Sequence, residues 1–280
     1  MNRNTGTSNH PESCRVCGAE LNGKFCCTCG ERRFDPKKDL SLLKFIEHSV
    51  DVSIHFDAKF FKTIKKLFFY PGSLTLDFIS GRRVINMKPF QLFIFAGFIF
   101  YFLLPGADSY HSSVWDFNGK FSLQSFIPYN GYNEIVEKSI KYHTTTERVA
   151  NAVTERTMHS SKLFLFVIIP FWAFILYALF YRSNSFYIPH LVFSVHCYSF
   201  FIFVHALYLY VLSKFMNSEP LSYFIPLFGI FAIYLFFAVR KVYQTGIAVS
   251  IIKGLTICLS FLILLELYRE SITLFTLHFL

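Results

Sequence analysis

Residues 187–212 read YIPHLVFSVHCYSFFIFVHALYLYVL. This stretch contains no Asp, Glu, Lys or Arg, and at a rise of about 1.5 Å per residue it makes a helix long enough to cross some 30 Å of hydrocarbon, with a tilt. It also holds three histidines, and ionisable groups at membrane depth face a bundle interior or a watery cavity. His190, Ser194, Cys197, Phe201, His205 and Tyr208 recur at steps of three and four, so they share one stripe, and His196 points away from it. The stripe has two readings. One is a polar path or site, with His190 and His205 as proton carriers or metal ligands. The other, which the spacing favours, is interhelical hydrogen bonding. His190 and His205 lie about 22 Å apart along the axis, so they cannot share one metal.

Working outward, four more segments have the same character. The expected spans are about 89–105, 163–181, 187–212, 221–239 and 247–268. Composition agrees: of 280 residues, 53% are hydrophobic and only 16% charged, with 37 Phe, whereas a soluble domain is nearer a quarter charged. The fold class expected is an all-α membrane helix bundle of about five transmembrane helices. A small N-terminal zinc ribbon precedes it.

That ribbon is CRVCGAELNGKFCCTCGE, residues 14–31. Cys14-x-x-Cys17 and Cys26-x-x-Cys29 each let one tight turn aim two sulfurs at a tetrahedral ion, and zinc takes four thiolates readily. Cys27 is a fifth thiol that could replace Cys26, but C-x-x-C spacing favours Cys26 with Cys29. Four thiolates on Zn²⁺ carry about two net negative charges; Arg15, Lys24, Arg32 and Arg33 lie beside them. No apolar run precedes the cysteines in residues 1–13, and free thiols suit a reducing compartment. A four-cysteine site has no open position for catalysis, so the spacing favours a structural ion over a reactive one. A docking or nucleic-acid-binding ribbon is the functional alternative, and with spans present the net charge of +9 is first an orientation signal rather than a nucleic-acid one.

The organisation expected is therefore a leader (1–13), the ribbon (14–33), an amphipathic helical segment (34–88) and the bundle (89–280), with an outer connection at 106–162. In the amphipathic segment, Phe60, Phe61, Ile64, Leu67 and Phe68 form one helical stripe, and Lys59, Lys62, Lys65 and Lys66 occupy the other side. Such a helix either lies in the headgroup layer or docks against the protein's own spans. Pro71-Gly72 ends it. Arg82, Arg83 and Lys88 stand at the entry to the first span, as lipid-phosphate contacts or as charges that hold this end inside.

Residues 36–88 contain ten Lys/Arg, and residues 106–162 contain six, balanced by six Asp/Glu. The basic side faces the cytoplasm, so the N-terminus is expected inside the inner (cytoplasmic) membrane, multi-pass, with the C-terminus outside. Arg148, Arg156 and Lys162 before the second span run against this order. The outer connection should turn helical near its end: Thr144-x-x-Glu147 has the form of a capping box, and Glu134/Lys138 and Glu137/Lys141 are i,i+4 pairs. That helix is expected to continue into the second span. Glu266, paired with Arg269 one turn on, is the acid expected deepest in the membrane. There is no H-E-x-x-H, G-x-S-x-G, P-loop or G-x-G-x-x-G, so nothing marks a hydrolase or nucleotide site.

The chain resembles one bacterial family of unknown function, multi-spanning membrane proteins with an N-terminal zinc ribbon. The resemblance rests on CxxCG…CxxCGE, the GRR…P entry, HLVFSVH and RKVYQTG. The matching positions are Cys14, Cys17, Cys26, Cys29, Gly81, Arg82, Pro89, His190, His196, Arg240 and Tyr243. The family pattern carries an acid before the first His of that span, where this chain has Pro189. The resemblance implies architecture and a zinc site, and no activity. Three functional readings follow: a scaffold or adaptor whose ribbon docks a cytoplasmic protein partner; a transporter or lipid-handling protein using the third-span stripe; a membrane-embedded enzyme.

Overall fold

A computed structural model describes residues 13–21, 23–35, 39, 41, 58–103, 131–183, 185–215 and 220–278. The leader to residue 12, most of 36–57, residues 104–130 and the side chains of Glu134, Arg156, Lys162 and Arg269 lie outside them. Eight helices follow one another among the described residues: α1 (Ala58–Phe69), α2 (Ser73–Ile79), α3 (Pro89–Leu103), α4 (Gly131–Lys141), α5 (Thr146–Phe180), α6 (Tyr187–Phe215), α7 (Pro220–Tyr243) and α8 (Ile247–His278). No strand occurs there beyond two isolated antiparallel bridges, Ser13 with Glu20 and Phe25 with Arg32.

Among the described residues, three helices are long and apolar enough to cross a membrane: Tyr187–Tyr208, Pro226–Tyr243 and Ile247–Tyr268. Pro89–Phe100 and Val167–Phe180 are shorter apolar stretches at the positions of the expected first and second spans. The exposed surfaces of α5, α7 and α8 carry Phe171, Phe174, Ile233, Phe237, Ile252, Leu255 and Leu259. Apolar side chains exposed along membrane-length helices suit hydrocarbon.

α6 is the axis of the bundle. A helix that is apolar all round is buried all round, and from Ile188 to Ile202 every residue of α6 is buried. α3 runs parallel to it: Phe93 stacks on Tyr198 (5.6 Å between ring centroids), Phe95 meets Phe203 (6.1 Å) and Phe100 meets His205 (5.5 Å). α7 runs antiparallel: Tyr234 stacks on Phe200 at 3.7 Å, and Tyr243 stacks on His190 at 5.5 Å. α5 and α8 join through Trp172, whose ring packs on Phe261 at 4.7 Å. Its indole Nε1–H points at Ser260 Oγ (3.3 Å) and the Ile257 carbonyl (3.4 Å), so the buried N–H is satisfied. Lys253 donates to the Leu179 carbonyl at 2.8 Å in the last turn of α5, where a cation meets the negative end of the helix dipole.

α1 resolves the choice left open by its pattern. Leu67 is buried, Ile64 and Phe68 pack against the core, and Phe60 meets Phe95 at 4.7 Å. The helix docks on α3 and α6. Phe61 departs from the expected stripe and stays 71% exposed, while Lys66 departs from the lysine face and turns inward to Asp77. α5 is one continuous helix from just after α4 through the second apolar stretch. Its cap is Thr145, which accepts from the Arg148 N–H at 3.3 Å, one residue beyond the expected Thr144.

Gly72 starts α2 with φ 79°. A Cβ there would sit 2.9 Å from Val242 Cγ2 and 3.0 Å from the Ala238 carbonyl. Gly72→Ala combines a left-handed backbone with a collision into α7. It is expected to cost about 2–4 kcal/mol and to lower the thermal midpoint of the detergent-solubilised protein by roughly 5 °C or more. An unchanged midpoint would show that α2 does not sit against α7.

Candidate metal centre and its seat on the bundle

The two cysteine knuckles are built alike. In the first, the Cys14 N–H bonds the Ala19 carbonyl (2.7 Å) and the Gly18 N–H bonds the Cys14 carbonyl (2.9 Å). In the second, the Cys26 N–H bonds the Glu31 carbonyl (2.8 Å) and the Gly30 N–H bonds the Cys26 carbonyl (3.0 Å). Gly18 and Gly30 take φ 77° and 73°, a region open to glycine at little cost. The four sulfurs of Cys14, Cys17, Cys26 and Cys29 lie within 4.8 Å of one another. Cys14–Cys29 and Cys17–Cys26 are each 3.5 Å apart. Sulfurs on a tetrahedral zinc at about 2.3 Å stand about 3.8 Å from each other, so the donor set fits such an ion. Cys27 is exposed, with its sulfur 3.9 Å from Thr28 Oγ1, and takes no part in the cluster.

The thiols are not equivalent. Backbone N–H groups of Cys29 and Thr28 point at Cys26 and pull it down to about 6. Those of Cys17 and Val16 lower Cys14. Cys29 is held down by the Glu31 N–H, yet burial and the three neighbouring sulfurs push it up to about 12. Four thiolates packed together repel, and a divalent cation is what allows all four to ionise at neutral pH.

The ribbon is fastened to the helices. Glu31 is buried, and its Oε2 accepts from the backbone N–H groups of Arg83 (2.8 Å) and Val84 (2.9 Å) in the turn between α2 and α3. Arg15 donates to the Ser80 carbonyl at 3.1 Å. The guanidinium of Arg83 lies between two rings, 5.0 Å from Phe34 and 4.3 Å from Phe78, and donates to the Asp39 carbonyl at 3.3 Å. Burial lowers Arg83, and the carboxylates of Asp39 and Glu31 oppose that shift.

Beneath this turn, Asp77 gathers three donors: Lys66 Nζ at 2.6 Å, Arg82 at 2.7 Å and Asn86 Nδ2 at 2.9 Å. Burial pushes its carboxyl up, but the hydrogen bonds from Lys66 and Asn86 and the charges of Lys66 and Arg82 outweigh it, so the group lies below its ordinary range. Arg82 and Arg83 thus have protein partners as well as a position at the entry to α3. Lys88 opens that helix, its carbonyl accepting from Leu92 N at 3.1 Å.

The α6 stripe does not converge on one site. His190 Nδ1 is 2.8 Å from Tyr243 OH, and Phe180 stacks on the same Tyr243 ring at 3.7 Å. Ser194 bonds the Leu191 carbonyl (2.8 Å) and Cys197 is buried in the core. His205 lies between Phe100 and Phe201, 5.5 Å from each, and Tyr208 packs at the core's edge. His196, off the stripe, bonds Thr75 of α2 at 2.9 Å. Spacing missed this residue because it assumes one buried face; the apolar character of the entire 187–202 stretch was the signal that both faces are covered. Among the described residues, the group of three or more Cys, His or acidic side chains placed to hold a metal is the four-cysteine cluster.

The sequence model of a family described as "Protein of unknown function (DUF3667)" matches residues 57–101, from α1 through most of α3. No curated protein and no solved structure matches the chain. The matched segment holds Lys66, Gly72, Asp77, Arg82 and Arg83 and lies directly under the ribbon.

Proposed function

We propose that the protein is a membrane-anchored scaffold or adaptor whose ribbon holds a structural zinc and presents a docking surface to a cytoplasmic protein partner. The observation that carries this reading is Phe25. It is 63% exposed, next to the cluster residue Cys26, while Glu31 fastens the ribbon to the turn between α2 and α3. A large exposed aromatic on a rigid small module is the kind of residue that anchors an interface. The membrane is read as a bacterial inner membrane crossed five times, the ribbon inside, on the lysine and arginine balance.

A photo-crosslinking residue at position 25 of the full-length protein, irradiated in living cells, is expected to give one defined protein adduct. That adduct should vanish in Glu31→Ala, which frees the ribbon. The same crosslinker at Ile233, exposed on α7, should give lipid adducts only. Absence of any protein adduct from position 25, with zinc retained, would refute the adaptor reading.

A further inference from the structure

Between α2, the turn into α3 and α6 lies a small cleft lined by Phe78, Arg82, Arg83, Asn86, Pro89 and His196 among others. The space it offers a water-sized occupant is about 10 Å³, room for a single water or oxygen. The Nε atoms of Arg82 and Arg83 are both buried without a hydrogen-bond partner. A buried guanidinium N–H left unmatched is costly, and such exceptions need a cause. One other nitrogen of each guanidinium, Nη2, is engaged and holds the group in place. Arg82 is fixed by Asp77, and Arg83 is fixed by Phe34, Phe78 and the Asp39 carbonyl. His196 is 4% exposed, and its Nδ1 is engaged by Thr75, which fixes the ring on the cleft wall.

The nearby carboxylates do not fill the cleft. Glu31 is turned to the backbone N–H groups of Arg83 and Val84, and Asp77 to its three donors. Asp39 Oδ1 lies 3.9 Å from Arg32. Around this turn the cations Arg15, Arg32, Lys66, Arg82 and Arg83 outnumber the carboxylates Glu31, Asp39 and Asp77. Planar guanidinium donors suit tetrahedral oxyanions, and two of them from separate residues define a direction as well as a charge.

We infer that Arg82, Arg83 and His196 form a seat for a phosphate oxyanion at the entry to α3, one non-bridging oxygen entering the cleft and the rest of the group lying at its mouth. Pro89, on the cleft wall, is the first residue of an apolar helix, so the seat stands where lipid headgroups meet a bundle. A phosphodiester headgroup and a free phosphate offer the same oxygens, and the test separates them.

The full-length zinc-bound protein in neutral detergent is titrated with phosphatidylglycerol, with diacylglycerol, which lacks phosphate, and with inorganic phosphate, read by native mass spectrometry and by the thermal midpoint. Saturable binding of phosphatidylglycerol but not diacylglycerol is expected, weakened about tenfold or more in R82K/R83K, which keeps both charges but removes the paired planar donors. Lys62→Ala/Lys65→Ala, on the exposed face of α1, should leave binding unchanged. Binding of inorganic phosphate alone, with the same loss in R82K/R83K, supports the seat and makes its occupant water-soluble. Failure of the wild-type protein to bind either phosphate source overturns the inference regardless of how the variants fold. Equal binding by R82K/R83K overturns it too, because charge alone would then account for the affinity.

Discussion

Cys26→Ser is expected to take bound zinc from about one ion per chain to none. Cys26 is the thiol best prepared to ionise, with the N–H groups of Cys29 and Thr28 aimed at it and its value drawn down to about 6. A serine hydroxyl at that position stays protonated and offers no comparable ligand. A structural zinc contributes on the order of 10 kcal/mol to the folding of a small module, far more than two isolated bridges and a few turns provide. The loss spreads beyond the knuckle. Glu31 leaves its register, the N–H groups of Arg83 and Val84 lose their acceptor, and Phe34 loses its place beside Arg83. Metal analysis and limited proteolysis at Arg32 and Arg33 report both steps. Cys27→Ser is the matched control and keeps its zinc. Retention of zinc by Cys26→Ser would move the fourth ligand to another residue.

Asp77→Asn is expected to destabilise the head of the bundle by about 3 kcal/mol, the lower part of the range for breaking a buried ion pair, because Arg82 remains half exposed. The amide keeps the shape but leaves Lys66 and Arg82 facing each other without a counter-charge. The effect depends on pH with a definite sign. The folded carboxyl lies below its ordinary value, so its contribution is present above the unfolded value of about 4 and is lost as pH falls through the folded value. Wild-type stability should therefore drop on acidification in that window, and Asp77→Asn should lack that part of the drop. Thermal midpoints of both proteins between neutral and acid pH decide it. Parallel pH curves would show that Asp77 is not the group responsible.

Local chemistry was legible in the sequence. The cluster of four cysteines, with Cys26 rather than Cys27 in it, followed from C-x-x-C spacing, because a single turn determines it. The end of α1 before Pro71-Gly72, the long helix leading into the second apolar stretch and the apolar stretches themselves were also visible, since each is written in one contiguous segment. Partners distant in the chain were not. Glu31 reads as an ordinary charged residue after a knuckle; only the docked turn shows it accepting from Arg83 and Val84. Lys66 sat on the lysine side of α1 by period alone, yet a carboxylate eleven residues away drew it inward. His196 was set aside from the stripe, and α2 covers it. Periodicity assigns faces to a helix but does not say how many neighbours that helix has.

The contact between Thr75 and His196 spans 121 residues, and Gly72 waits still longer for Ala238 and Val242. Translation adds about 5–20 residues each second. A nascent chain therefore exposes α2 for roughly ten to thirty seconds before the surfaces that receive it leave the ribosome. The knuckles need only their own neighbours and an ion, so they can mature at once. Biogenesis thus has a built-in order: the cysteine tip and the α2–α3 turn form an early unit, and final closure waits for α7.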